Sequence, residues 1–229
     1  MENTSKAAIA EFISTFALIF IGAGAVIMNA NGQLDLTGVA LAHGLVLFIM
    51  ISVTAHLSGG LVNPAVTIAL WTTGKLPSGR AGVLIGAQLL GAIAGAFLIK
   101  ALEPKILFDA GNGGIPALAP LYSVGKGILF EAVGTFFLVF AVFGTAVDDR
   151  GPFKLTGGMT IGLVIAFDMM VFFPLTGAAV NPARWFGPAV ATGDYSNWYV
   201  WIVGPIAGGI IAGVVYWYAF LKDREPATP

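Results

Sequence analysis

Apolar residues fill this chain in stretches of about 20, the length a helix needs to cross a hydrocarbon core of about 30 Å. Six such stretches are read, at roughly 7–28, 36–55, 82–102, 125–147, 157–174 and 198–221. Two more, at 63–73 and 181–192, are too short to cross. They suit re-entrant half-helices, which persist at membrane depth only when buried in protein or lining a cavity. The two short stretches open on nearly identical tripeptides, Asn63-Pro64-Ala65 and Asn181-Pro182-Ala183, 118 positions apart. Each follows a matching approach, Ser58-Gly59-Gly60-Leu61-Val62 and Thr176-Gly177-Ala178-Ala179-Val180.

The correspondence extends through both halves. Glu11 with Thr15-Phe16 returns as Glu131 with Thr135-Phe136, Leu36-Thr37-Gly38 as Leu155-Thr156-Gly157, and Gly44-Leu45-Val46 as Gly162-Leu163-Val164. The chain is therefore read as one transmembrane domain over 1–229, with internal repeats at 7–102 and 125–221. An outer loop at 103–124, rich in Gly and Pro, joins them. Each repeat holds three spans and one half-helix. Three is odd, so the second copy enters the membrane upside down. Inverted repeats of this kind place a shared site near the bilayer midplane, where broken helices point their N-termini. The fold class predicted is an all-α membrane protein of six transmembrane helices and two half-helices.

Composition supports this. The chain is 57% hydrophobic and 10% charged, with mean hydropathy +0.88, against about 25% charge in a soluble domain. A net charge of −1 gives no reason to expect a nucleic-acid partner, and the absence of cysteine removes disulfide and thiol chemistry. The polar start, Met1 to Lys6, lacks the charged region and cleavage site of a signal peptide, so the first span is expected to be retained. The tail after Phe220 reads as a frayed soluble end. With the N-terminus inside, the inner segments carry seven Lys and Arg: Lys6, Lys75, Arg80, Arg150, Lys154, Lys222 and Arg224. The outer ones carry three, Lys100, Lys105 and Lys126, with Arg184 assigned to the pore. That bias favours two cytoplasmic termini, in a plasma (inner) membrane.

The half-helix starts carry the chemistry. Pro64 and Pro182 stand at the first helical position, where a missing N–H costs nothing. Asn63 and Asn181 then hold the N-cap, which Asn favours. Two helix N-termini facing one point present about +0.5 charge each. A permeant oxygen accepts hydrogen bonds from the Asn amides there, while a cation, including an excess proton, is repelled. The plainer alternative is that the two Asn only cap helices and pack the repeats together. The carbonyls of Gly59, Gly60, Leu61, Val62, Gly177, Ala179 and Val180, held extended before the half-helices, are candidate solute acceptors.

With these motifs the chain resembles the aquaporin, or major intrinsic protein, family over about residues 7–221, in a prokaryote-like form. The run from His56 to Thr67 is similar to the family's first signature, and Asn181-Pro182-Ala183-Arg184-Trp185-Phe186-Gly187-Pro188 to its second. The resemblance implies a homotetramer with one pore per subunit. Gly91, Gly95, Gly208, Gly209 and Gly213 would permit the close helix packing this needs. It also implies that the buried Glu11 and Glu131 brace the half-helix backbones, and that the narrow filter falls on His43, Met169, Ala178 and Arg184. His43 stands where water channels of the family carry Phe and glycerol channels Trp. Met169 replaces a His, and Ala178 is small. This non-orthodox set resembles that of plant vacuolar-type channels, some of which also pass ammonia or urea. Trp185, Ala189 and Ile202 point in conflicting directions between the water and glycerol branches.

Two polar residues stay open. Asp168, in the middle of the fifth span, is either a protonated or hydrogen-bonded structural acid, a group that bonds or tunes His43, one that coordinates something at the outer mouth, or one that faces the tetramer contact. His56 either lends a hydrogen bond at the inner mouth or braces a loop. The function expected is passive conduction of water down an osmotic gradient with protons and ions excluded. The alternative is a broader pore for small neutral solutes such as glycerol, urea or ammonia. An ion-coupled secondary transporter is a distant third, since it would want more intramembrane charge. No acid, base and nucleophile set suggests an enzyme, and no cofactor or metal is expected. The expected partners are water, such solutes and the lipid bilayer.

Overall fold

The structure, a computed structural model, describes residues 4–222, and for 153–155 the backbone alone. The expected frayed tail, Arg224 and the side chain of Lys154 lie outside the described residues. Helices follow in the order α1 (Thr4–Ala30), α2 (Leu36–Ser58), short α3 (Pro64–Thr72), α4 (Ser78–Leu102), α5 (Lys105–Ala110), α6 (Val124–Val142), α7 (Phe153–Thr176), short α8 (Pro182–Thr192) and α9 (Tyr199–Tyr216). Single π-helical turns, Phe143–Val147 and Trp217–Leu221, prolong α6 and α9. Among the described residues there is no strand, and six helices are long and apolar enough to cross a membrane.

The long helices run a few residues past the spans read from hydropathy, because their ends are fixed by caps rather than by apolarity. Asp35 caps α2 by accepting from the Gly38 N–H at 2.8 Å. Gly59, at φ 100°, ends α2, and Gly177, at φ 78°, ends α7, the left-handed position that glycine takes without a Cβ clash. The joining segment 103–124 is not all loop. It holds α5, begun at Pro104, and a 3-10 turn at Asn112–Gly114.

Packing pairs the halves. α1 lies along α4 as α6 lies along α9, and α2 crosses α7 at the centre. The half-helices are exchanged: α3 packs on α9 of the other half, and α8 on α4. Neither half therefore closes its own core.

Glycines set these approaches. A Cβ on Gly44 would meet the Gly162 carbonyl oxygen at 2.7 Å, and one on Gly162 the Gly44 oxygen at 2.5 Å. Gly91 sits against the Phe12 carbonyl as Gly208 sits against that of Ala132. The glycines expected to permit close helix packing do so between helices of one protomer. Gly91 and Gly95 lie against α1, Gly208 against α6, and Gly209 and Gly213 against α3, its C-terminal Thr73 and α6.

Polarity is inverted relative to a soluble protein. Ile9, Leu45, Leu90 and Leu163 are more than half exposed on the outer faces, whereas Glu11, His43, Gln88, Glu131, Asp168 and Arg184 are buried. That distribution holds where the surrounding solvent is hydrocarbon.

Candidate functional site

The site begins where the two half-helices meet. Asn63 Oδ1 accepts from the Ala65 N–H at 2.8 Å, and Asn181 Oδ1 from the Ala183 N–H at 2.9 Å, so each Asn caps its own helix. Each also reaches across. Asn63 Nδ2 donates to the Val180 carbonyl at 2.8 Å, and Asn181 Nδ2 donates to the Val62 carbonyl at 2.9 Å. An amide nitrogen carries two protons, so the crossed bonds use one from each Asn and leave the other. Both Asn line a shared cavity.

Two buried carboxylates hold the approach strands. Glu11 accepts from the N–H groups of Leu61 and Val62 at 2.9 and 2.6 Å, from Ser58 Oγ at 2.6 Å and from Gln88 Nε2 at 2.6 Å. Glu131 accepts from Ala179 N–H at 3.0 Å, Val180 N–H at 2.6 Å and Thr176 Oγ1 at 2.7 Å. The backbone that lets successive N–H groups point at one carboxylate is strained. Val62, Ala178 and Val180 have φ of 54°, 44° and 42°, each at a cost of about 1–2 kcal/mol for a residue with a Cβ. Multiple charge-assisted bonds to the Glu side chains offset this.

Beyond the Asn pair the cavity is lined by α2 and the first turn of α8. Arg184 Nε donates to His43 Nε2 at 3.3 Å, and Arg184 Nη1 donates to the Gly114 carbonyl at 2.8 Å. His43 Nδ1 lies 2.9 Å from the Val39 carbonyl. A carbonyl only accepts and a guanidinium only donates, so these partners assign the proton to Nδ1 and the lone pair to Nε2. Arg184 Nη2 is buried and has no hydrogen-bond partner among the described residues, and Arg184 is among the residues that line the cavity.

The cavity encloses about 520 Å³. It runs from Lys75, Pro77 and Arg80, at the α3–α4 connection, past Asn63 and Asn181 to His43, Met169 and Arg184. One wall is apolar, with Leu47, Ile51, Leu138 and Ile165 among its residues; the other carries the approach strands and the Asn pair. Gly59, Gly60, Leu61 and Ala179 border it. The Val62 and Val180 carbonyls receive the crossed Asn bonds instead. Pro64, Ala65, Pro182 and Ala183 form the buried half-helix starts, and Gly177 closes α7. Ala178 is fully buried behind the strand.

The alternatives left open for Asp168 and His56 narrow. Asp168 is fully buried within the protomer, so it does not face a neighbouring subunit. It does not bond His43 either, because both ring nitrogens are engaged elsewhere; neither of its oxygens has a hydrogen-bond partner among the described residues. His56 is exposed on the last turn of α2 and does not border the cavity.

Sequence reasoning passed over four partners. Ser58 and Thr176 stand at equivalent repeat positions, so the repeat itself carried their signal. Gln88 was a lone polar residue in an apolar span, a signal that went unused. Gly114 lay in the joining segment, where nothing marked its carbonyl.

A cavity shared by two half-helices inside an interlocked six-helix bundle suits a membrane channel, and comparison with known proteins places the chain among channels. The family model described as "Major intrinsic protein" matches residues 1–216. The chain is 40% identical to Aquaporin TIP4-4 of Zea mays over 96% of its length and 90% of that protein's. It is 36% identical to Aquaporin TIP2-1 of Arabidopsis thaliana, over 96% and 89%, and 35% identical to Aquaporin-4 of Mus musculus, over 96% and 69%. Among solved structures it is similar to the aquaglyceroporin from Plasmodium falciparum, with TM-score 0.82 and 28% identity over 93% of this chain and 96% of that one.

The chain belongs to the major intrinsic protein family. It is a multi-pass integral membrane protein and a passive channel for water and small solutes, not an enzyme.

Proposed function

We propose that this channel conducts water down an osmotic gradient through the cavity described, with His43, Met169, Ala178 and Arg184 as its filter. The observation that carries the reading is the pairing of two donor sets along one apolar wall. The spare Asn63 and Asn181 N–H groups meet the permeant at the midplane, and the Arg184 guanidinium, bonded to His43, stands further along the same cavity. A row of donors and acceptors facing an apolar wall replaces the hydration shell of a neutral oxygen without holding it tightly. The opposed half-helix ends and the buried guanidinium repel cations and protons.

A wider pore for glycerol, urea or ammonia is the second reading. Met169 and the small Ala178 favour it, as does the likeness to a chain described as an aquaglyceroporin. Stopped-flow light scattering on proteoliposomes separates the two. Fast shrinkage under an impermeant osmolyte with no re-swelling in glycerol supports a water channel. Rapid re-swelling in glycerol makes the second reading the main one. Water flux no faster than in empty liposomes overturns both.

The exposed apolar faces and the family likeness favour a homotetramer of single-pore subunits in the lipid bilayer, which cross-linking and light scattering in detergent test. The Lys and Arg bias supports cytoplasmic termini, testable by protease access to tags in sealed vesicles. Membrane fractionation tests the plasma-membrane expectation.

A further inference from the structure

The His43 ring needs support on the side away from the cavity, and the structure shows what supplies it. Gly22 of α1 lies directly behind the imidazole. A Cβ built on Gly22 would stand 2.6 Å from His43 Nε2, 2.7 Å from Cδ2 and 3.2 Å from Cε1. Gly22 is buried and does not border the cavity. The next residue serves the other side of the constriction. Gly114, whose carbonyl accepts from Arg184, is packed so tightly on Ala23 that a Cβ there would meet the Ala23 carbonyl oxygen at 2.5 Å.

We infer that Gly22 is a positioning residue that sets the aperture of the filter by letting the His43 ring lie back against α1. The inference rests on the reading of His43 and Arg184 as the filter. Helix α1 is packed along α4 and cannot retreat, because Gly91 and Gly95 of α4 already touch the Phe12 and Phe16 carbonyls. His43 borders the cavity, so a methyl group at position 22 pushes the imidazole toward the permeation path. The same movement takes Nε2 from Arg184 Nε, while Val39 still holds Nδ1.

The test compares four proteins in proteoliposomes: the wild type, Gly22→Ala, His43→Ala and the double variant, with Gly24→Ala as a control. A methyl group on Gly24 would meet nothing within 4 Å, so its substitution changes nothing. Gly22→Ala is expected to lower water permeability about tenfold, the factor that accompanies loss of one hydrogen bond to a charged group. Any glycerol permeability falls by more than water. Once the ring is removed by His43→Ala, adding Gly22→Ala changes flux less than about twofold. An equal effect of Gly22→Ala in both backgrounds, or none in either, overturns the inference.

Should Gly22→Ala fail to insert, the double variant is expected to recover insertion, because the colliding ring is gone. Failure of both overturns the inference. If the wild type carries no water, the proposed function fails on its own. Thermal melts then still decide this one: Gly22→Ala must destabilise the protein with His43 present and leave the His43→Ala background unchanged.

Discussion

His43 and Arg184 stand 141 positions apart in the chain and meet through a 3.3 Å hydrogen bond from the guanidinium Nε to the imidazole Nε2. One comes from the middle of a crossing helix and the other from the first turn of a half-helix. With the Val39 carbonyl at Nδ1, the bond fixes the ring tautomer and one edge of the guanidinium together. Removing either partner therefore changes the aperture, and removing Arg184 takes away the charge as well.

Arg184→Val removes the buried cation, leaves His43 Nε2 without its donor and empties the place of a large side chain. Glycerol re-swelling is expected to rise, together with a proton or sodium leak. Acidification of proteoliposomes under an imposed diffusion potential checks the leak; an ion-tight variant would show that the half-helix ends exclude cations alone.

Asn63→Ala and Asn181→Ala each remove an N-cap and a bond to the opposite strand. With about 1 kcal/mol for each loss, each variant is expected to lose about 2 kcal/mol, read as a lower Tm by tryptophan fluorescence in detergent. The crossed arrangement makes the two losses nearly equal. It also makes the double variant depart from additivity by at least about 0.5 kcal/mol, since both sites share one junction.

Glu11→Gln is expected to destabilise more than Glu131→Gln. Glu11 accepts four bonds and Glu131 three. Glutamine turns an NH₂ group toward donors that need an acceptor, and each buried donor left unsatisfied costs about 1–3 kcal/mol. Melting curves of the two variants in one detergent check the order.

Ala178→Gly is expected to raise stability by about 1 kcal/mol, because Ala178 holds φ 44° where the first repeat has Gly60. Ala178→Val is expected to lower it, by adding a branched side chain to a strained and fully buried position. A thermal shift of opposite sign for the two variants is the outcome to look for.

Much of this was legible in the chain itself. Spans of about 20 apolar residues fixed six crossings, because hydrocarbon allows only segments that satisfy their own backbone. The repeated Asn-Pro-Ala triplets announced two helix starts and their partnership. Glu11 and Glu131 stood out as charges that an apolar span tolerates only when bonded. Asp168 drew attention for the same reason, yet its surroundings depend on how α7 packs, and no local pattern encodes them. The inner-mouth role considered for His56 did not materialise at the cavity, because a residue on the last turn of α2 can face either way and this one faces out.

The sequence by itself determined the six crossings and where the half-helices start, because those follow from local hydropathy and capping. Only the tertiary structure decided that the half-helices exchange partners and that each Asn bonds the opposite strand. It also decided that the His43 ring rests on Gly22 and that a loop carbonyl at Gly114 holds Arg184. These are contacts between residues far apart in the chain, made where backbones approach within a hydrogen-bond length. Their partners are selected by packing, which no single stretch of sequence contains.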